Sequence, residues 1–365
     1  MVQENLRQRR LQELDSLRGL AAVYVVLFHT ALVPVPPLVL PNGAERAILF
    51  GGTGVLLFFV ISGFSLSMTM PRHLQAASPI LSYGLSRFFR ISPLFYVVLL
   101  ASVIRDIVLF HYPLWPGNIG INALFLFNFF PGRQEGIAWA SWTIGVEMVY
   151  YAVFPLLYAL SIRSKMLVAA ASLLGYWMMN HVPGMTELSY FSVVGFIPVF
   201  IFGELAFLAY DRLRLRADAH VWGLALIACG AASLFSCLLV DHSEKSVSLR
   251  SLIGLGYASL LLGVTLQPIR LMQGRVFGFY GTISYSLYLC HAPIVYALSP
   301  LYKQVYGAVP AGLAYVACAV ATMAVATPVA WLGYRCVERP GIRLGAKLSQ
   351  AWMSRIFPRR NASTA

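Results

Sequence analysis

Apolar runs of spanning length recur along the chain at about 17–35, 49–70, 91–111, 139–160, 166–182, 190–210, 221–240, 249–268, 276–299 and 309–333. One helix needs about 20 apolar residues to cross roughly 30 Å of hydrocarbon, so each run predicts a transmembrane helix. An eleventh run, 119–131, has only thirteen residues and contains Asn122 and Asn128. Counting it or not inverts the topology of everything that follows.

Loop cations decide the matter, because cytoplasmic loops carry an excess of Lys and Arg. With the N-terminus inside and 119–131 not spanning, one side receives Arg72, Arg87, Arg90, Arg163, Lys165, Arg212, Arg214, Arg216, Arg270, Arg275, Arg335, Arg339, Arg343 and Lys347. The other side receives Glu45, Arg46, Arg133, Glu135, Glu187, Asp241, Glu244, Lys245, Arg250 and Lys303, which nearly balance. If 119–131 spanned, Arg163, Lys165 and the Arg212–Arg216 cluster would move outside. The expected architecture is therefore an all-α, polytopic transmembrane helical bundle of about ten spans with both termini cytoplasmic. Segment 119–131 is then re-entrant or interfacial, which is tolerable only where protein buries it. Residues 1–13 form a basic cytoplasmic segment, 14–341 the membrane domain and 342–365 a basic tail too short for a second folded domain. The Leu81–Arg90 stretch reads as an amphipathic helix on the inner surface, with Arg87 and Arg90 on one face at i,i+3. That face is either a lipid-headgroup anchor or a ligand contact. No internal repeat of clear period is present, so a transporter of inverted repeats has no support.

Composition agrees. Of 365 residues 59% are hydrophobic and 11% charged, against about 25% charged in soluble domains. The net charge of +13 sits mostly between apolar runs, as topology signals do, and does not call for a nucleic-acid partner. The five Cys, at 229, 237, 290, 318 and 336, show no C-x-x-C spacing and read as small buried hydrophobes. Arg7, Arg9 and Arg10 precede the first apolar run, and Pro34, Pro36 and Pro37 follow it. This reads as a signal anchor that is not cleaved. No zinc motif, Walker sequence, G-x-S-x-G or H-E-x-x-H is present, and no metal site is expected.

Ionisable residues inside a bilayer are costly and are functional candidates by default. Arg18 and His29 lie eleven residues apart on the first span. That is three turns plus about 20°, with a rise of roughly 16 Å, so they share a face. Glu147 sits mid-span, roughly 20 Å from the inner face, and His29 lies at roughly 18 Å. At one depth the two can meet. The expectation is a carboxylate that fixes the tautomer of a general base, or else a buried structural pair. His291 is a second intramembrane His of the outer half, with Tyr288 at i,i+3. Arg105 and Asp106, near the outer end of the third span, either bind a polar acceptor or neutralise each other. Glu204 has no assignable role, and Ser62 and Gly63 permit close helix approach.

Six motifs in order make the chain resemble the acyltransferase-3 family of integral membrane acyltransferases, over about residues 12–341. They are Arg18-x10-His29; Phe58-Phe59-x-x-Ser62-Gly63; Arg87-x-x-Arg90; Trp142-Thr143-x3-Glu147; the Ser284–His291 run; and Glu338-x-Pro340. Some relatives append an extracytoplasmic SGNH esterase-like domain, for which this chain ends too soon.

The resemblance implies an enzyme of the bacterial inner membrane. It would move an acyl group, most often acetyl, from cytoplasmic acyl-CoA to a hydroxyl of a surface or exported polysaccharide or its lipid-linked precursor. Arg18, Arg87 and Arg90 would then bind the anionic acyl-CoA. His29, oriented by Glu147, would act as base or as acyl-carrying nucleophile. Tyr288, His291, Arg105 and Asp106 are the candidate acceptor contacts. Acylation of a small molecule or lipid by the same chemistry is the nearest alternative. A carrier of an anionic glycolipid or organic acid with a His–Glu proton relay is the rival class.

Overall fold

The computed structural model describes residues 11–182, 191–240 and 247–356. Glu187, Asp241, Glu244 and Lys245, used above in the charge balance, lie outside the described residues, as do 1–10 and 357–365. Among the described residues the chain is all-α. The long helices are α1 (Gln12–Leu32), α2 (Gly54–Leu74), α3 (Pro79–Val108), α4 (Trp142–Ala159), α5 (Ile162–His181), α6 (Ile197–Leu213), α7 (Ala219–Leu239), α8 (Val247–Leu266), α9 (Arg275–Ala308), α10 (Ala311–Gly333) and α11 (Arg339–Ile356). Eight of the described helical segments are long and apolar enough to cross a membrane. The remaining two predicted spans fold as α5 and α9, where Arg163, Lys165 and Asn180 in one and Ser, Thr, Gly and Tyr in the other dilute the apolar run. Leu156, Leu224 and Phe235 stand exposed at 74%, 56% and 60%. In water such a surface would be an association patch; around a membrane bundle it faces lipid.

Glycines set the closest helix contacts. A Cβ on Gly63 would fall 2.1 Å from the Phe200 carbonyl oxygen, and one on Gly203 would fall 2.0 Å from that of Val60. The α2 and α6 backbones therefore touch there, the close approach expected of small residues in membrane bundles. Gly19 and Gly281 join α1 to α9 in the same way, with added Cβ atoms at 2.6 Å from Gly281 N and 2.2 Å from Asp15 O. This second contact locks together the helices that carry His29 and His291.

Segment 119–131 is not one helix. A short helix, Pro116–Ala123, is followed by a 3₁₀ turn, Phe127–Phe129. Asn122, Phe125, Phe127 and Asn128 are buried while Leu124, Phe129 and Phe130 are exposed, and the two Asn side chains tie the segment to the chain that follows it. Asn122 Oδ1 accepts from the Ile137 N–H at 2.9 Å, and Asn128 Nδ2 donates to the Trp142 carbonyl at 3.1 Å.

The amphipathic Leu81–Arg90 stretch is not a separate surface helix. It is the first third of α3, which begins at Pro79, where a missing N–H costs nothing. After α10 the chain makes a π-helical turn, Tyr334–Glu338, and continues as α11. Helix α11 lies along α3, with Gly341 against Pro93 and Gly345 against Phe89. Lys165, expected in an inner loop, is instead buried. It pairs with Glu204, which also accepts from the Tyr150 hydroxyl, so Glu204 acquires a partner that sequence alone did not assign.

Candidate active site

His29 and His291 face each other where α1 and α9 pack. His29 Nδ1 lies 3.1 Å from His291 Nε2 and 3.0 Å from the Val25 carbonyl oxygen. His291 Nδ1 lies 2.5 Å from the Tyr288 carbonyl oxygen. Carbonyl oxygens only accept, so the proton of neutral His291 sits on Nδ1 and its Nε2 is an acceptor. His29 Nδ1–H then donates, and its own Nε2 carries a free lone pair. Two backbone carbonyls thus impose the tautomer that a triad carboxylate imposes elsewhere. A base so oriented can take a proton from a hydroxyl, and the same lone pair can attack a thioester carbonyl.

His29 lines a large cavity of about 950 Å³, at the upper end of ligand-site sizes, about 300–1,000 Å³. The wall is built from Phe28, Trp139, Trp142, Phe191, Phe196 and Tyr296, with Glu45, Arg46, Glu135 and Arg250 set among them. These residues come from the C-terminal end of α1, the chain entering α2, α4 and α6, the start of α8 and the C-terminal half of α9. The end of the bundle that holds this cavity is called outer below, after the predicted topology.

A second, narrow cavity of about 80 Å³ lies toward the opposite end. Arg18, Arg87, Arg90, Ser62, Glu147 and Tyr151 are among its lining residues. Glu147 accepts from Ser62 Oγ at 2.5 Å and from the Tyr151 hydroxyl. Arg90 pairs with Glu338 at 2.7 Å, and Glu338 also accepts from Ser286 at 2.7 Å. The π-turn after α10 presents that carboxylate, a role often found for such turns. Arg18 donates to Ser65 at 2.8 Å, with Asp15 at 3.6 Å. Arg87 keeps a buried Nε without a hydrogen-bond partner. Of the three cations, Arg87 is the least neutralised by protein.

Tyr288 and Val55 line both cavities. The Tyr288 ring meets Phe58 edge-on at 5.6 Å. Its hydroxyl receives a bond from Thr143 Oγ1 at 2.8 Å and donates to the Ala140 carbonyl at 3.0 Å. Ala140 holds φ at 63°, a left-handed conformation that costs a non-glycine residue of order 1–3 kcal/mol and clusters at functional sites. The wall between the cavities is thus clamped at both ends of one side chain.

Several expectations require correction. No hydrogen bond joins His29 to Glu147; among the described residues His29 pairs with His291, and Glu147 sits in the arginine cavity on the other side of Tyr288. Equal depth was a necessary condition for contact, but helix azimuth and neighbour order put His291 in the place expected of Glu147. Arg105 and Asp106 pair with each other at 2.6 Å and line neither cavity, which disfavours direct acceptor contact. Arg18, Arg87 and Arg90 do converge. Sequence reasoning assigned no role to Glu338 and missed Trp139 altogether. The shared outer-half depth of His29 and His291 was the signal for their pairing. Among the described residues no group of three or more His, Cys, Asp or Glu side chains is placed to hold a metal ion.

The acyltransferase-3 family model, described as an acyltransferase domain, matches residues 11–331. The exopolysaccharide production protein ExoZ of Rhizobium meliloti is 28% identical, covering 81% of this chain and 90% of its own. The putative membrane-bound transacylase BcsY of Komagataeibacter xylinus is 26% identical over 92% and 84%. Nodulation protein 10 of Rhizobium leguminosarum is 24% identical over 82% and 85%. No solved structure matches the chain.

Proposed function

Because this chain belongs to the acyltransferase-3 family, a multi-pass membrane acyltransferase, we propose that it transfers a short acyl group, acetyl, from cytoplasmic acyl-CoA. The acceptor is a hydroxyl of a surface or exported polysaccharide, or of its lipid-linked precursor. The observation that carries this reading is the pair of cavities meeting at Tyr288, one lined by three arginines and one by His29. The names of the relatives, exopolysaccharide production and transacylase, support the glycan acceptor and the transfer chemistry.

In this reading the arginine end faces the cytoplasm, as the loop cations predict. Arg87 and Arg18 hold acyl-CoA phosphate, while Arg90 is held by Glu338 and shapes the entrance. The narrow cavity, of about 80 Å³, leaves the nucleotide outside, with its phosphates at the arginines of the mouth. It suits the slender thioester arm and a short acyl group. The thioester reaches His29 past the Phe58–Tyr288 wall. His29 Nε2 takes the acceptor hydroxyl proton, the oxygen attacks the carbonyl, the C–S bond breaks, and the proton passes to the leaving thiolate. The alternative route uses the same lone pair as nucleophile, through an acyl-imidazole that the acceptor then cleaves. Glu147, held by Ser62 and Tyr151, supplies the counter-charge that keeps the arginine cavity from trapping the product CoA.

The test is sidedness. Sealed vesicles of known orientation receive labelled acetyl-CoA on the Arg-rich side and a membrane-impermeant glycan on the other. Label is expected in the glycan. Transfer that requires both on the cytoplasmic side would overturn the trans-bilayer reading. A second expected result concerns Arg87→Ala, which should raise the KM for acetyl-CoA about tenfold and lower kcat much less, the pattern of a lost ground-state contact. If KM holds while membrane insertion falls, Arg87 is a lipid anchor.

A further inference from the structure

Arg105 and Asp106 have no place in the transfer chemistry, yet their side chains are only 13% and 14% exposed and are paired. What the pair touches is an indole. The Arg105 guanidinium carbon lies 4.1 Å from the Trp139 ring centroid, and the guanidinium also reaches the Ile137 carbonyl at 3.4 Å. A guanidinium over an indole face is an attractive cation–π contact, strongest where water is excluded. Tyr296 meets the same indole at 5.0 Å and 74°. Phe110 lies nearly parallel to it at 6.4 Å and 23°, so Arg105, held by Asp106, together with Phe110 and Tyr296 confines Trp139. Trp139 and Tyr296 line the outer cavity together with His29.

The charges of that cavity narrow the ligand. Glu45 and Glu135 stand against Arg46 and Arg250, two carboxylates and two guanidiniums with no net charge. A fatty alcohol would leave these groups without a use, and an anionic ligand would call for an excess of cations that this lining does not have. An uncharged ring with apolar C–H faces and hydroxyls around its edge matches both the aromatic walls and the mixed donors and acceptors. That is the chemistry of a neutral pyranose.

We propose that Trp139, braced by Arg105 and Asp106, is the stacking platform for a neutral pyranose unit of the acceptor, next to His29. This rests on the reading of the outer cavity as the acceptor side. Arg105 is a positioning residue, acting through the indole.

The experiment uses the full-length protein in nanodiscs, with acetyl-CoA and an uncharged gluco-oligosaccharide as acceptor probe. Trp139→Leu should raise the KM for the oligosaccharide about tenfold, the scale of one lost aromatic contact, with the KM for acetyl-CoA within twofold of wild type. Trp139→Phe should recover most of the loss. Arg105→Ala should raise the same KM less, and Arg105→Lys, which restores a cation over the ring, should recover it. An unchanged oligosaccharide KM in Trp139→Leu overturns the proposal. Should that variant not fold, the wild-type protein still decides. Saturating oligosaccharide should protect Trp139 from oxidation by N-bromosuccinimide, read by peptide mass spectrometry, and an unprotected Trp139 overturns the platform. Failure of the underlying reading looks different: wild-type protein would then acetylate a lipid alcohol and no oligosaccharide at all.

Discussion

His29→Ala should lower turnover by about 10²–10⁴-fold, the usual contribution of a positioned base, while the KM for acetyl-CoA stays close to wild type. The separation follows from the architecture. His29 lines the outer cavity, and Arg18, Arg87 and Arg90, proposed for the donor, lie beyond Tyr288. His291→Ala should cost less, because the His29 Nδ1–H keeps the Val25 carbonyl as acceptor at 3.0 Å and so keeps its tautomer. The double variant should be little worse than His29→Ala alone, as for groups that act as a unit. Labelled-acetyl transfer by the three purified proteins checks this. Turnover within tenfold of wild type in His29→Ala would remove that residue from the chemistry. Losses in the two single variants that multiply in the double would show that His291 does not act through His29.

The largest effect on stability is expected at Lys165. Lys165→Met leaves the fully buried Glu204 carboxylate without its cation, although Tyr150 still donates to it. Breaking a buried pair by removing one partner typically costs about 3–5 kcal/mol, whereas replacing both partners is often close to neutral. Lys165→Met should therefore unfold well below wild type in detergent, and Lys165→Met with Glu204→Gln should regain most of the loss. A single variant as stable as the wild type would mean that the Lys165–Glu204 pair adds nothing to stability. Neither residue lines the two cavities, so correctly folded Lys165→Met protein should bind acetyl-CoA with wild-type KM.

What the chain's own pattern determined is the class, an all-α bundle of long apolar helices, eight of them long and apolar enough to span among the described residues. Hydrocarbon thickness turns twenty apolar residues into a helix whatever surrounds it, so 119–131 could be excluded and the remaining runs found by length and loop charge. The two Asn residues of that stretch bond beyond it, Asn122 to the Ile137 N–H and Asn128 to the Trp142 carbonyl, which the sequence did not foretell. The convergence of Arg18, Arg87 and Arg90 was legible because all three lie at the start of their helices, where loop charge fixes depth. What only the tertiary structure decided is azimuth, meaning which side of a helix faces which neighbour. Depth along the membrane normal is a sum over residues in one helix. Contact between two helices depends on where their small residues let backbones touch, at Gly19 against Gly281 and at Gly63 against Gly203. Those contacts turn His29 toward His291 and leave Glu147 with Ser62 on the far side of Tyr288. Arg105 and Asp106, read either as an acceptor contact or as a self-neutralising pair, do pair with each other, and Arg105 also lies against Trp139. A residue 34 positions away in sequence, in a loop with no periodicity, gives no local sign of the ring it supports.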